Sequence, residues 1–223
     1  MNLDVWWVTG FTIVAALSAT VLMAGPGIGL AWLLARREFR FKSMLEVAIT
    51  LPLVVPPVAT GLLLLLLVGH RGPIGRLLDV VGIEVVFTWK AVVLAMAVMG
   101  LPLLVRTARA GFEQVNPRYE QVASSLGAGP GRVFLTMTLP LAGRSIVAGA
   151  ILAFARALGE FGATIMVAGN IPGRTRTLAV AIYGYAETGQ DAAAARLLII
   201  SVAVAFVALW FSNRLLRDRP VAA

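Results

Sequence analysis

The chain has no cysteine and a single histidine, and charged residues make up only 13% of its 223 positions. The first absence excludes disulfides, thiolate metal sites and cysteine nucleophiles. His70, beside Arg71, reads as a loop residue without carboxylate or cysteine neighbours, which is no metal site. The only lysines are Lys42 and Lys90, and no G-x-x-x-x-G-K-[ST] run occurs, so this chain cannot itself cradle ATP in a P-loop. Neither H-E-x-x-H nor G-x-S-x-G is present, and Glu160 has no acid or base partner beyond Arg156, which argues against a membrane enzyme. No basic stripe with interleaved aromatics appears, so nucleic acid is not an expected partner.

What the chain has in abundance is apolar surface: 59% of residues are hydrophobic and the mean hydropathy is +0.88. With several apolar runs near the length of a bilayer crossing, that composition specifies an all-α, polytopic membrane protein whose solvent is the lipid bilayer. The opening MNLDVWWVTG carries no positive charge and leads into a stretch too long for a signal peptide core, so it reads as a retained first span with Trp6 and Trp7 at the interface. Segments of roughly 17 to 25 or more apolar residues fall at about 8–35, 46–69, 89–110, 141–168 and 194–213. This gives about five transmembrane helices, with six as the upper count, in a single transmembrane domain over 1–223; no separate soluble domain stands out.

The net charge of +8 reports orientation. Twelve basic residues, from Arg36, Arg37, Arg40 and Lys42 through Arg106, Arg109, Arg118, Arg132 and Arg144 to Arg214, Arg217 and Arg219, fall on one side; six, Arg71, Arg76, Lys90, Arg174, Arg176 and Arg196, fall on the other. That twofold excess places the first set in the cytoplasm, the N-terminus outside and the C-terminus inside.

Between the third and fourth spans lies a segment of different character, about 116–140. Asn116-Pro117 is a helix start, an N-cap acceptor followed by a residue whose missing N–H costs nothing at the first position. Glu120 suits the positive end of the dipole. Tyr119, Val122, Ala123 and Leu126 recur at helical spacing and form one apolar stripe, and Gly127 supplies a stop able to take positive φ. Gly129-Pro130 then opens a second helical stretch that runs to about Leu139, where Pro140 imposes a bend or a stop. The spacing describes a short amphipathic peg at the cytoplasmic face. An ordinary interfacial helix resting on headgroups has the same pattern.

This segment resembles the cytoplasmic signature of ABC importer permeases: an EAA triplet, three residues, a glycine, nine residues, then I-x-L-P. Here the positions read Gln121-Val122-Ala123, Gly127 and Met137-Thr138-Leu139-Pro140; Ala123, Gly127, Leu139 and Pro140 match, while Gln121, Val122 and Met137 depart. LPLVVPPVATG (51–61), GHRGPIG (69–75), FARALGEFGATIMVAGNIPGRTRTL (154–178) and AARLLIIS (194–201) look like the molybdate permease branch. LGEFGA is shared with sulfate permeases, and NIPGRTRTL looks more like the molybdate branch. The resemblance implies a MetI-like permease fold and a homodimer in the cytoplasmic (inner) membrane. It implies two copies of a separate ABC ATPase, which binds the ATP and magnesium, with no cofactor on this chain, and a periplasmic or extracellular molybdate-binding protein. It also implies that Tyr119, Glu120, Gln121, Val122, Ala123, Leu126 and Gly127, with Leu139 and Pro140, form the ATPase-coupling segment. Tungstate or sulfate remains open as cargo.

Within the spans, Pro52, Pro56 and Pro57 must interrupt the backbone ladder of the second, either as a packing kink or as carbonyls facing a watery path. Gly159 and Gly162 allow close helix approach. Arg156 and Glu160, four apart, share a face and can pair, and charge inside a span requires protein or water around it. They form either a structural ion pair or, with Pro56 and Pro57, part of a gate. Arg174 and Arg176 follow the Asn170–Gly173 turn, as solvated charges or as a surface for an acidic rim or the oxyanion. An ion-coupled carrier would want several intramembrane acids, and only Glu160 qualifies.

Overall fold

The computed structural model describes residues 2–217, with side chains from 5 to 214, so Arg219 and the Arg217 side chain of the orientation count lie outside the described residues. Among them every regular element is a helix. Four helices are long and apolar enough to cross a bilayer, and a bent pair makes a fifth candidate.

Helix α1 (Asn2–Arg36) is 35 residues long, roughly 50 Å at 1.5 Å per residue, and therefore extends past a hydrocarbon core of about 30 Å. It begins earlier than the hydropathy run alone indicates. The second span is not one straight helix: α2 (Lys42–Val54) and α3 (Pro57–Val68) meet at a bend of 116°. The break lies at Val55–Pro56, whereas α2 runs straight through Pro52. Consecutive prolines remove two adjacent donors and push the residue before them into extended backbone, and Val55 has ψ of 137°.

The segment after α3 is not a plain loop, because α4 (Pro73–Val80) forms there and His70 has a carboxylate after all, with Nδ1 3.0 Å from Asp79 Oδ1. Helix α5 (Trp89–Glu113) is the central one, with 67% of its apolar window buried against 17–39% for the other long helices. It packs on α1 and on α8 through small and flexible side chains, among them Ala16, Ala19, Met23, Ala95, Met96, Met99, Ala153 and Ala157. Lipid offers no hydrophobic penalty for leaving such helices apart, so close backbone approach across alanine and adaptable methionine packing supply the cohesion.

After α6 (Pro117–Ser125), α7 (Pro130–Val133), a π-turn (Phe134–Thr138) and α8 (Leu139–Leu158) form one continuous run from Pro130 to Leu158. Pro140 thus neither stops nor separates the helix. The wide turn ahead of it, in which the Leu139 N–H donates to the Phe134 carbonyl five residues back, absorbs the misfit of the proline ring. The fourth span consequently starts before residue 141. It also ends at Leu158 rather than 168, since Gly159 leaves the helix and α9 (Gly162–Ala168) is a separate short piece.

Helix α10 (Leu178–Glu187) takes up much of the connection after α9, and α11 (Asp191–Arg217) closes the bundle. The start of α10 is stitched to α1: buried Thr12 donates to the Val8 carbonyl at 2.7 Å, and its Oγ1 accepts from the Leu178 N–H at 2.9 Å.

Candidate functional site

Two places concentrate the chemistry, one at each broken or protruding part of the chain. The first is the segment after α5. Asn116 Oδ1 accepts from the Arg118 N–H at 3.0 Å and opens α6, with Pro117 at its first position. At the other end Gly127 adopts φ of +86°, its N–H donates to Ser124 O, and the Ala128 N–H reaches Ala123 O. That pair of bonds is a Schellman closure, which needs a left-handed residue at Gly127. The helix is nine residues long and none of them is buried.

Tyr119, Val122 and Leu126 are 53%, 58% and 83% exposed, and Ala123 is half-buried beside them, so the apolar stripe has no cover among the described residues. Gln121 is exposed as well. The matching residues farther on divide: Leu139 packs against the core cluster that holds Phe112 and Ala108, while Pro140 remains at the surface. The π-turn is held by Phe134, whose ring stands edge-on to Trp32 at 5.4 Å and tilts against Phe112 at 6.3 Å.

Glu120 does more than sit at a helix N-terminus. Its Oε1 accepts from Thr138 Oγ1 at 2.8 Å and lies 3.0 Å from Arg36 Nη2, while Arg36 Nη2 also donates to the Val115 carbonyl at 2.9 Å. Neither Arg36 nor Thr138 stood out in the sequence as a site residue, because nothing periodic links positions this far apart. Beside this cluster Arg109 bridges Glu46 and Glu113, each at 2.7 Å, tying the start of α2 to α5.

The second place is where the two interrupted segments meet. A Cβ on Gly162 would lie 2.7 Å from Pro57 Cβ and 2.9 Å from Val58 N, and one on Gly61 would lie 2.7 Å from Ala163 Cα. The breaks at Pro56–Pro57 and at Gly159–Phe161 are therefore back to back, with α3 lying on α9 at a separation only glycine permits. Arg156 and Glu160 do pair, at 2.7 Å between Nη1 and Oε2. They do so across the turn that ends α8 rather than along one helical face. Glu160 is 1% exposed, and its other oxygen accepts from the Ala163 N–H at 2.7 Å, so a single carboxylate joins the end of α8 to the start of α9. Ahead of α5, Phe87, at φ of +58°, donates its N–H to the Val167 carbonyl and hooks the preceding segment onto α9. Arg176 Nε donates to Asn170 Oδ1 at 2.8 Å, whereas Arg174 lines an open concavity of about 580 Å³ with Lys90, Glu84, Trp7 and Trp89.

Residues 27–219 match the family model of the binding-protein-dependent transport system inner membrane component. The chain belongs to that family. Among curated members it is 51% identical over 203 residues to the molybdenum transport system permease protein ModB of Escherichia coli (strain K12), covering 90% of this chain and 89% of that protein. It is 33% identical over 204 residues to the sulfate transport system permease protein CysT of Salmonella typhimurium, covering 92% and 74%. Among solved structures, a chain of the MetNI methionine ABC transporter in an inward-facing form superposes with a TM-score of 0.66 at 16% identity, over 97% of this chain and 94% of that one. The family's broken spans and projecting segment are thus an ABC importer permease fold, here worked out in Pro56–Pro57, Gly159–Phe161 and Asn116–Pro140.

Proposed function

We propose that this permease carries molybdate across the cytoplasmic membrane as a homodimer. Two copies of an ABC ATPase engage α6 from the cytoplasm, and an external molybdate-binding protein delivers the anion. The likeness to the E. coli molybdenum permease over nine-tenths of both chains carries the choice of cargo. The greater distance to the sulfate permease leaves sulfate as the second reading, favoured only by the shared LGEFGA run, and tungstate differs too little in charge and shape to be ranked by span residues. The orientation follows the basic residues, with the N-terminus outside and the C-terminus inside.

The ATPase docks on the stripe of Tyr119, Val122, Ala123 and Leu126. These side chains are apolar, adjacent and uncovered on a helix fixed by caps at both ends, which is the amphipathic helix-in-groove arrangement. ATP and magnesium are held by that partner. The pair of Arg156 and Glu160, with the bend at Pro56 and Pro57, forms the gate. A paired arginine has its field largely cancelled, so it does not hold the anion as a resting site, in keeping with the need of a pathway to release what it admits.

Uptake of labelled molybdate by cells lacking their own permease, with this chain expressed beside its ATPase and binding protein, tests the reading. Saturable, ATP-dependent uptake displaced by molybdate and tungstate at concentrations where sulfate has little effect is the expected result. Displacement by sulfate at equal concentration overturns the assignment of cargo. Loss of the co-purifying ATPase in Val122→Asp, with the permease still inserted, is expected for the docking surface; retention overturns it.

A further inference from the structure

The geometry points to Arg36, Glu120 and Thr138 as a transmission brace: positioning residues that make α1 and the π-turn follow α6, without contacting the ATPase themselves. The inference rests on α6 being the docking helix. That helix has no buried residue and touches the body only lightly, at α7 and the π-turn, so packing couples it weakly. Its chain connections are the short stretches 114–116 and 126–129, which alone leave it free to tilt. A third point of attachment is needed, and the Glu120 carboxylate supplies it.

One oxygen, Glu120 Oε1, receives Thr138 Oγ1 at 2.8 Å and faces Arg36 Nη2 at 3.0 Å. Arg36 is the last residue of α1, and the same nitrogen holds the Val115 carbonyl at 2.9 Å, so it grips the chain on both sides of Asn116. Thr138 is the last residue of the π-turn and is 1% exposed. Thr9, Thr12, Thr20, Thr50 and Thr136 each donate to the carbonyl four residues back along their own helix. Thr138 gives its proton to Glu120 instead, across to another element. The turn it closes is of the kind that interrupts α-helices as single turns, frequently at functional sites, so it is where a pull on Thr138 is converted into rotation of α8. From there the continuous helix leads to Arg156 and the break at Gly159.

The test uses the assembled permease–ATPase complex in proteoliposomes with the binding protein and molybdate, comparing Glu120→Gln, Thr138→Val, the double variant and the conservative Thr138→Ser. The readouts are ATPase retained on purification, basal ATP hydrolysis, and its stimulation by the molybdate-loaded binding protein. Glu120→Gln and Thr138→Val are expected to keep the ATPase and basal hydrolysis while stimulation and uptake fall about tenfold. The double variant falls no further than the worse single, as residues of one linkage do, and Thr138→Ser stays within about twofold of the unaltered complex. Stimulation preserved in Glu120→Gln and Thr138→Val overturns the brace. Release of the ATPase, or failure of both variants to assemble, overturns it as well, since Glu120 would then dock or merely support folding. Val122→Asp in the same assay separates the two ideas: an ATPase that stays bound to it defeats the docking surface, whatever the brace variants do.

Discussion

The Glu160 carboxylate holds the Arg156 guanidinium at 2.7 Å with one oxygen and the Ala163 N–H at 2.7 Å with the other. A residue in the middle of a break thereby replaces the helical hydrogen bonds the break removes. Replacing it by glutamine keeps an acceptor for Ala163 but leaves Arg156 without its counter-ion. Severing a buried pair costs about 3–5 kcal/mol, and the Arg156 side chain is 26% exposed, so the loss falls below that range. Glu160→Ala, which also orphans Ala163 N–H, is expected to lower the thermal midpoint of the detergent-solubilised permease further than Glu160→Gln. Coupled uptake is expected to fall in both; full uptake and normal assembly in Glu160→Gln would remove the pair from the gate.

The contact between α3 and α9 makes a second prediction. Gly162→Ala places a methyl group against the Pro57 ring and Val58 backbone, an overpacking that costs about 1–3 kcal/mol. Gly29→Ala meets nothing within 4 Å and serves as the control. The midpoint of Gly162→Ala is expected to drop while that of Gly29→Ala does not, and equal midpoints would mean that the two breaks yield freely.

Thr12 provides a third. Thr12→Val preserves shape but leaves the buried Leu178 N–H without its acceptor, a loss of about 1–3 kcal/mol. Thr12→Ser retains it. Amide exchange at the start of α10 is expected to quicken in the valine variant and to be unchanged in the serine one.

The caps of α6 give a fourth. Asn116→Ala removes the acceptor for Arg118 N–H, worth about 1 kcal/mol, and Gly127→Val forces a branched side chain into positive φ, where left-handed backbone costs roughly 1–2 kcal/mol. With no buried residue in α6, both should fray this helix and weaken ATPase retention while leaving the permease midpoint within error.

Much of this architecture was legible in the order of residues. The uninterrupted spans, α1, α5 and α11, follow from length and hydropathy, and α6 from its Asn-Pro start, its stripe and its glycine stop. The second and fourth spans were not, because apolarity says how much chain can lie in lipid but not whether it runs straight. Pro52 is tolerated while Pro56–Pro57 reverses direction, and that difference depends on Gly162 lying opposite Pro57 to receive the bend. The π-turn is equally hidden: Pro140 announces a disturbance, and only the packing of Phe134 against Trp32 and Phe112 fixes its form. The short helices α4 and α10 are too short to register as spans in the hydropathy that marks the long helices. Glu120 was visible as a helix-start carboxylate, yet its tie to Arg36 joins α6 to the end of α1, far off in the chain, and leaves no local trace.

The bare outer face of α6 has a consequence for the history of such transporters. A surface that contributes nothing to the stability of its own chain is free to change whenever its motor changes, one side chain at a time, without endangering assembly. With α6 as the docking helix we propose, recognition and folding are written in different residues, and a motor is exchanged between related permeases by transplanting Tyr119, Val122, Ala123 and Leu126 while Glu120 stays.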